Sequence, residues 1–176
     1  MLIDVTSFTS GPRQIENAVK NQQNANHIAV AQAIDGYIAH YQTVFLRSVV
    51  GDKWCSLFDA YSKVDHVQAN EEEDETPAEP TDEDITIASL IDLLKEPFAN
   101  FVFFHMLRDM NTQVTITGVV NLKCANSYVS PIDRGVRVWN EMVDQLKAFT
   151  KTVYELKVLD VATDEDMLTY INQFNL

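Results

Sequence analysis

Pro97-Phe98-Ala99-Asn100-Phe101-Val102-Phe103-Phe104-His105-Met106-Leu107 is apolar on nearly every side. On a helix, Leu94, Phe98, Phe101 and His105 share one stripe while Phe103, Phe104 and Leu107 fall on others, so the element has to be buried. Each large apolar side chain taken out of water contributes roughly 1.5 to 3 kcal/mol. This stretch therefore supplies more driving force than any other, and neighbouring helices must cover it. Pro97 reads as its start, because a residue without N–H is harmless in a first helical turn and disruptive later. The expectation is a short helix over Ile85 to Lys95 and the central helix after Pro97.

Working outward, Ile28, Ala31, Ile34, Ile38, Tyr41 and Phe45 recur at spacings of three and four and predict a helix from Asn26 to Val50, stopped by Gly51. A second helix, from Asp52 to Lys63 with Trp54, Leu57, Phe58 and Tyr61 inward, completes a helical hairpin. At the other end, Ser130-Pro131-Ile132-Asp133 is a helix-opening signature. The helix it opens runs to Lys157, with Val136, Trp139, Val143, Leu146, Phe149, Val153 and Leu156 on one side. Thr163-Asp164-Glu165-Asp166 repeats the capping pattern, so residues 163–176 read as a terminal helix carrying Met167, Leu168, Tyr170, Ile171 and Phe174, either packed or serving as a docking tail.

Between the helical parts the signals change. Met1 to Phe8 alternates weakly and reads as a short strand or extended arm, and Asn17 to Asn26 as a loop. Gln113 to Val120 alternates β-branched residues and reads as a strand, with Tyr128-Val129 a candidate return. The fold class is thus mainly α: a helical bundle around a central aromatic helix, with a small β-hairpin or strand element. The 176 residues and 46% hydrophobic content suffice for a single domain spanning 1–176.

The net charge of −13 is unevenly placed. Glu71, Glu72, Glu73, Asp74, Glu75, Glu79, Asp82, Glu83 and Asp84 lie in one stretch with Pro77 and Pro80. Without these nine acids, 17 acidic residues stand against 13 basic ones, a net of −4. Residues 65–84 read as an acidic disordered or surface loop. The rest is close to balanced and lacks the clustered Lys and Arg of a DNA-binding face, although a neutral or acidic wall lets a duplex pass without sticking.

Sites for chemistry are few. There is no GxxxxGK[ST], and five glycines leave no phosphate cradle. The acidic run lacks the glycine and alternating ligands of a calcium loop. His105 and Asp109 stand four apart and share a helical face, as two metal ligands or an oriented base; a hydrogen-bonded core histidine is the plainer reading, and no third ligand follows. His27, His40 and His66 have no partner at ligand spacing. Cys55 and Cys124 are isolated, as buried reduced thiols are. No signal peptide or apolar run of membrane-spanning length is present, which predicts a soluble, cytoplasmically made protein without cofactor, metal or membrane partner. Arg134 and Arg137 share a face that Lys147 and Lys151 extend. They read as a solvated face pairing with Glu141 and Asp144, or as an interface for an acidic partner such as a neighbouring copy's loop.

The order of parts carries a likeness. Ile38-Ala39-His40-Tyr41-Gln42-Thr43-Val44-Phe45-Leu46-Arg47 closed by Gly51-Asp52, then an aromatic helix, then Thr117-Gly118-Val119-Val120, then a helix bearing Trp139-Asn140-Glu141-Met142 resembles the head-tail connector (adaptor, or neck) proteins of tailed bacteriophages and prophages, most closely those of gut Bacteroidetes phages. The likeness covers residues 11–152 as a pattern of elements; the long acidic insertion departs from compact members. It implies a virion structural protein, made in the host bacterial cytoplasm, that forms a homo-oligomeric ring, a dodecamer, beneath the portal and extends the DNA channel. It also implies contacts with portal and other neck or tail proteins, no specific DNA binding and no active site.

A two-stranded element is marginal alone and has unpaired edges. Val114, Ile116, Val119 and Val120, with Ile171, Phe174 and Leu176, are therefore expected at subunit or portal contacts, and deletion of 163–176 is expected to spare the fold and abolish docking. Two other readings stand beside the connector: an acidic regulatory protein of the DNA-mimic type, and, last in order, an enzyme using His105 and Asp109.

Overall fold

Asn24 accepts the His27 N–H on its side chain at 2.9 Å and opens the first long helix, α1, Ala25–Val50. In the computed structural model, residues 1–19, 24–63, 82–110, 112–115, 118–121, 132–157 and 159–174 are described. Gly51 ends α1 with φ of 79°, a left-handed value that glycine adopts without cost, and its N–H returns to the Arg47 carbonyl. The chain reverses there into α2, Asp52–Lys63, giving the expected hairpin. Ala31, Ile34, Ile38 and Phe45 are buried as the spacing predicts, Tyr41 is half-buried, and Ile28 is exposed.

The aromatic stretch lies inside one continuous helix, α3, Asp82–Met110. This corrects the expectation of a break at Pro97. An interior proline costs about 3 kcal/mol through its lost hydrogen bond and ring clash. Here Leu90, Ile91 and Leu94 are buried before it, and Phe98, Ala99, Phe101 and Val102 after it. At roughly 1.5 to 3 kcal/mol per large side chain, burial on both sides outweighs that cost. Asp82, Glu83 and Asp84, read as the end of the acidic loop, form the first turn of α3, whereas residues 64–81 lie outside the described residues.

Beyond α3, β1 (Thr112–Thr115) and β2 (Gly118–Asn121) pair antiparallel, Val114 opposite Val119 and Gln113 opposite Val120. The single strand expected over Gln113 to Val120 is thus two short strands folded on one another. Tyr128 and Val129 lie outside the described residues, as do Ser130 and Pro131 of the capping signature. The last helix, α4, Ile132–Leu156, runs along α3 and closes at Lys157, whose φ of 53° is left-handed. Its core row is Gly135, Val138, Met142, Leu146, Phe149 and Val153, with Val143 beside it. Val136 and Trp139 are half-buried, and Leu156, expected inward, is exposed.

Both ends of the chain differ from expectation in kind. Met1 to Phe8 is neither strand nor arm: Val5–Phe8 is a 3-10 turn capped by Asp4, and Leu2, Ile3, Val5 and Phe8 are buried. Gln42, itself buried, fixes this segment by accepting the Leu2 N–H at 2.8 Å while its amide donates to Asp59 and Ser62. The expected terminal helix is a single 3-10 turn, Glu165–Leu168, followed by non-helical chain. That chain is held by side chains rather than by its own backbone, which is why a helical period misreads it.

Candidate functional site

Two surface features bring chemistry-bearing side chains together. The first lies where α1 crosses the C-terminal end of α3. Tyr37 and Tyr41, one turn apart, present roughly parallel rings 6.2 Å apart. Tyr41 stacks on His105 at 4.3 Å and meets Phe101 edge-on at 5.7 Å, while His40 packs edge-on against Tyr41 at 4.7 Å. Outside this stack is a groove of about 330 Å³ lined by residues that include Ala33, Gly36, Tyr37, Tyr41 and Asp109. The Tyr37 hydroxyl hydrogen-bonds to the Asp109 carboxylate, and burial first, then that carboxylate, raise the phenol above its ordinary value.

His105 and Asp109 have different main partners, and the Asp109 charge acts on the imidazole as a smaller influence that raises its pKa. His105 belongs to the aromatic stack, where burial above all, with Arg108 adding, pulls its pKa down from 6.5 to about 4. At neutral pH the imidazole is uncharged and a weak base, far from the range in which general bases work best. Asp109 belongs to the groove and to Tyr37. Among the described residues, no three His, Cys, Asp or Glu side chains converge as metal ligands. His27 pairs with the Asn24 amide, and His66 and Cys124 lie outside the described residues. Cys55 is buried near the Thr43 carbonyl, and burial pushes its thiol up.

The second feature is the seat of the C-terminal segment. The Thr163 hydroxyl donates to the Val49 carbonyl at 2.7 Å and the Asp164 N–H to the Ser48 carbonyl at 2.8 Å, tying it to the end of α1. Further along, the Trp139 indole donates to the Thr169 carbonyl, Asn140 bonds both backbone groups of Ile171, and the Tyr170 hydroxyl donates to Asp144 at 2.5 Å. The Lys147 ammonium lies 3.7 Å from the centre of the Tyr170 ring. Beyond Ile171 a cleft of about 450 Å³ is lined by Asp133, Val136, Arg137, Asn172, Gln173 and Phe174.

These contacts sort the residues expected at interfaces. Arg134 is half-buried and engaged within the chain. Its guanidinium donates to the Pro12 carbonyl at 2.6 and 3.1 Å and to the Gln14 carbonyl at 3.2 Å, and lies 4.6 Å over the Phe103 ring. Ile171 is engaged by Asn140 within the chain. Arg137 and Phe174 come together at the cleft, and Phe174 is 89% exposed. Val114, Val119 and Val120 lie on the β1–β2 ribbon; Ile116 and Leu176 lie outside the described residues.

Tyr37, Gln42 and Asn140 were not legible as contact-making residues, because each acts on a partner far away in sequence. Tyr37 carried one available signal, its spacing of four from Tyr41.

No protein-family model, curated protein or solved structure matches the chain.

Proposed function

We propose that this chain is a virion structural protein without enzymatic activity: a head-tail connector subunit that joins further copies in a closed ring, docks under the portal and extends the DNA channel. The observation that supports this best is the corner where Arg137 and Val136 of α4 meet Phe174. A large aromatic ring stands there almost fully in water, in a cleft that Asp133 and Arg137 also line. Apolar surface rimmed by polar groups is what a protein contact uses. One such contact repeated between unlike surfaces makes a ring when its rotation closes, which is the case the connector reading takes. The ribbon adds strand edges suited to a neighbour or to the portal.

The charge pattern is compatible with this role. Outside the acidic stretch the chain is near neutral, so DNA meets a wall that does not hold it. No helix among the described residues is long and apolar enough to cross a membrane. The place of action is the virion neck, reached after synthesis in the host bacterial cytoplasm, with other neck or tail proteins on the far rim.

Co-expression of the full chain with the portal protein of its own genome, read by native mass spectrometry and negative-stain electron microscopy, tests the proposal. The expected result is a portal-bound ring, dodecameric, built of 20.0 kDa subunits. A chain that never joins the portal overturns it, and one that instead captures a DNA-binding enzyme favours the acidic-mimic reading.

A further inference from the structure

Residues 159–174 have one regular turn of their own, Glu165–Leu168, and are otherwise held from outside. At one end they meet the corner where α1 passes into α2. The last turn of a helix leaves carbonyls without helical partners. Two of these at the end of α1 are taken by this segment: Ser48 accepts the Asp164 N–H at 2.8 Å, and Val49 accepts the Thr163 hydroxyl at 2.7 Å. From α2 the Trp54 indole donates to the Asp160 carbonyl at 3.0 Å. At the other end the segment lies on α4, where Trp139 and Asn140 grip the backbone of Thr169 and Ile171.

Two features decide how such a segment moves. Its buried apolar side chains are only Leu159 and Met167, with Val161 and Leu168 partly buried. Its hydrogen bonds to the helices run through exposed or half-buried groups that water can satisfy once it lifts. Few buried apolar contacts and solvent-reachable hydrogen bonds put a segment at the low end of the range of opening free energies. Met167, however, ties the two ends together. It sits in the turn that starts from Asp164, bonded to α1, and closes at Thr169, bonded to α4. Withdrawing Met167 from the core therefore pulls on both sets of anchors at once.

We infer that residues 159–174 form a latch between the α1–α2 corner and α4 that opens as one unit while the four helices stay folded. Closed, it holds Tyr170 against Asp144 and Lys147. Open, it lifts Tyr170 and Phe174 off α4 and frees the indole N–H groups of Trp54 and Trp139. The latch does not depend on the connector reading and stands or falls by itself.

Native-state hydrogen exchange of the full chain, read residue by residue by NMR over a series of low urea concentrations, tests it. Two amides report the two ends: Asp164, bonded to Ser48, and Ile171, bonded to Asn140. In the wild type their protection factors are expected to agree within about threefold and to lie at least about a hundredfold below those of the most protected α3 amides. Their dependence on urea is expected to be weaker than that of α3, because less surface is exposed in a local opening. Asn140→Ala touches only the α4 end and Thr163→Val only the α1 end. Each is expected to lower both protection factors together, by about fivefold to tenfold. If Asn140→Ala quickens Ile171 and leaves Asp164 unchanged, one end frays alone and the latch is wrong. If both amides are as protected as α3 in the wild type, the segment leaves only with global unfolding, and the latch is wrong again. A variant that failed to fold would show as lost α3 protection, and the wild-type comparison of Asp164, Ile171 and α3 decides the matter without it.

Discussion

Asn140 holds Ile171 by both of its backbone groups, donating from Nδ2 to the Ile171 carbonyl at 3.0 Å and accepting the Ile171 N–H on Oδ1 at 2.9 Å. The side chain thus stands in for a neighbouring β-strand, and one residue of α4 fixes the height at which the C-terminal segment crosses the helix. Replacing it with alanine leaves a donor and an acceptor without these partners, and each such loss is typically worth about 1 kcal/mol. Asn140→Ala is expected to speed amide exchange over residues 169–174 strongly while leaving α3 protected, measured by hydrogen exchange with mass spectrometry. Equal protection of the segment in the variant contradicts this account.

The same seat revises the expectation that residues 163–176 can be removed with the fold left intact. Met167 is buried, and the indole of Trp139 and the carbonyls of Ser48 and Val49 all find partners in that segment. Deleting it is expected to lower the unfolding free energy by about 2 to 4 kcal/mol, from one large apolar side chain and several hydrogen bonds. Urea unfolding followed by far-ultraviolet circular dichroism measures the loss.

Gln42 is the buried polar hub of the other end, joining Leu2, Asp59 and Ser62. Gln42→Leu keeps its bulk but leaves the Leu2 N–H without its acceptor in a buried site, which costs about 1 to 3 kcal/mol. The expected result is a lower urea midpoint with an unchanged slope. A variant as stable as the wild type shows that the N-terminal turn is held by its apolar residues alone.

His105 gives the stability a definite pH dependence. Its folded pKa is depressed to about 4 from an ordinary 6.5. Between those values the unfolded chain takes up the proton more readily than the folded one, so the contribution is full above about 6.5 and is lost as the pH falls toward 4. Allowing for the ring's partial exposure, the loss is on the order of 1 to 2 kcal/mol. His105→Phe keeps a ring in the stack and removes the titration. Its unfolding free energy is expected to fall less than that of the wild type between pH 7 and pH 5, and parallel curves sink the assignment.

Two glycines separate conformational need from space. Gly36→Ala is expected to stabilise the chain by about 0.5 to 1 kcal/mol, because a methyl group there meets nothing in the described structure. Gly51→Ala is expected to destabilise it, because φ is 79°, a backbone conformation that a residue with a side chain rarely adopts. Thermal unfolding of the two variants should move in opposite directions.

What the sequence made legible follows from how each feature is encoded. The burial of Phe98, Phe101, Phe103 and Phe104 was readable because the stretch is apolar on all sides, which no partner can alter. The row Leu146, Phe149 and Val153 was readable for the same local reason. Pro97 misled because its local cost is real, and only the burial on both sides outweighs it. The joining of Tyr37 to Asp109, and of Asn140 to Ile171, left no periodic trace, since each needs two distant elements brought side by side. The spacing of His105 and Asp109 was correct as helix geometry, yet Tyr41, from another helix, decides that the imidazole belongs to a stack and not to the carboxylate.

Both tryptophans of the chain donate their indole N–H to carbonyls of one continuous stretch, Trp54 to Asp160 at 3.0 Å and Trp139 to Thr169 at 2.9 Å. Intrinsic fluorescence is therefore a built-in gauge of whether that stretch is seated. Lifting it would alter the surroundings of both fluorophores together and shift the emission, so its release could be followed in real time without any label.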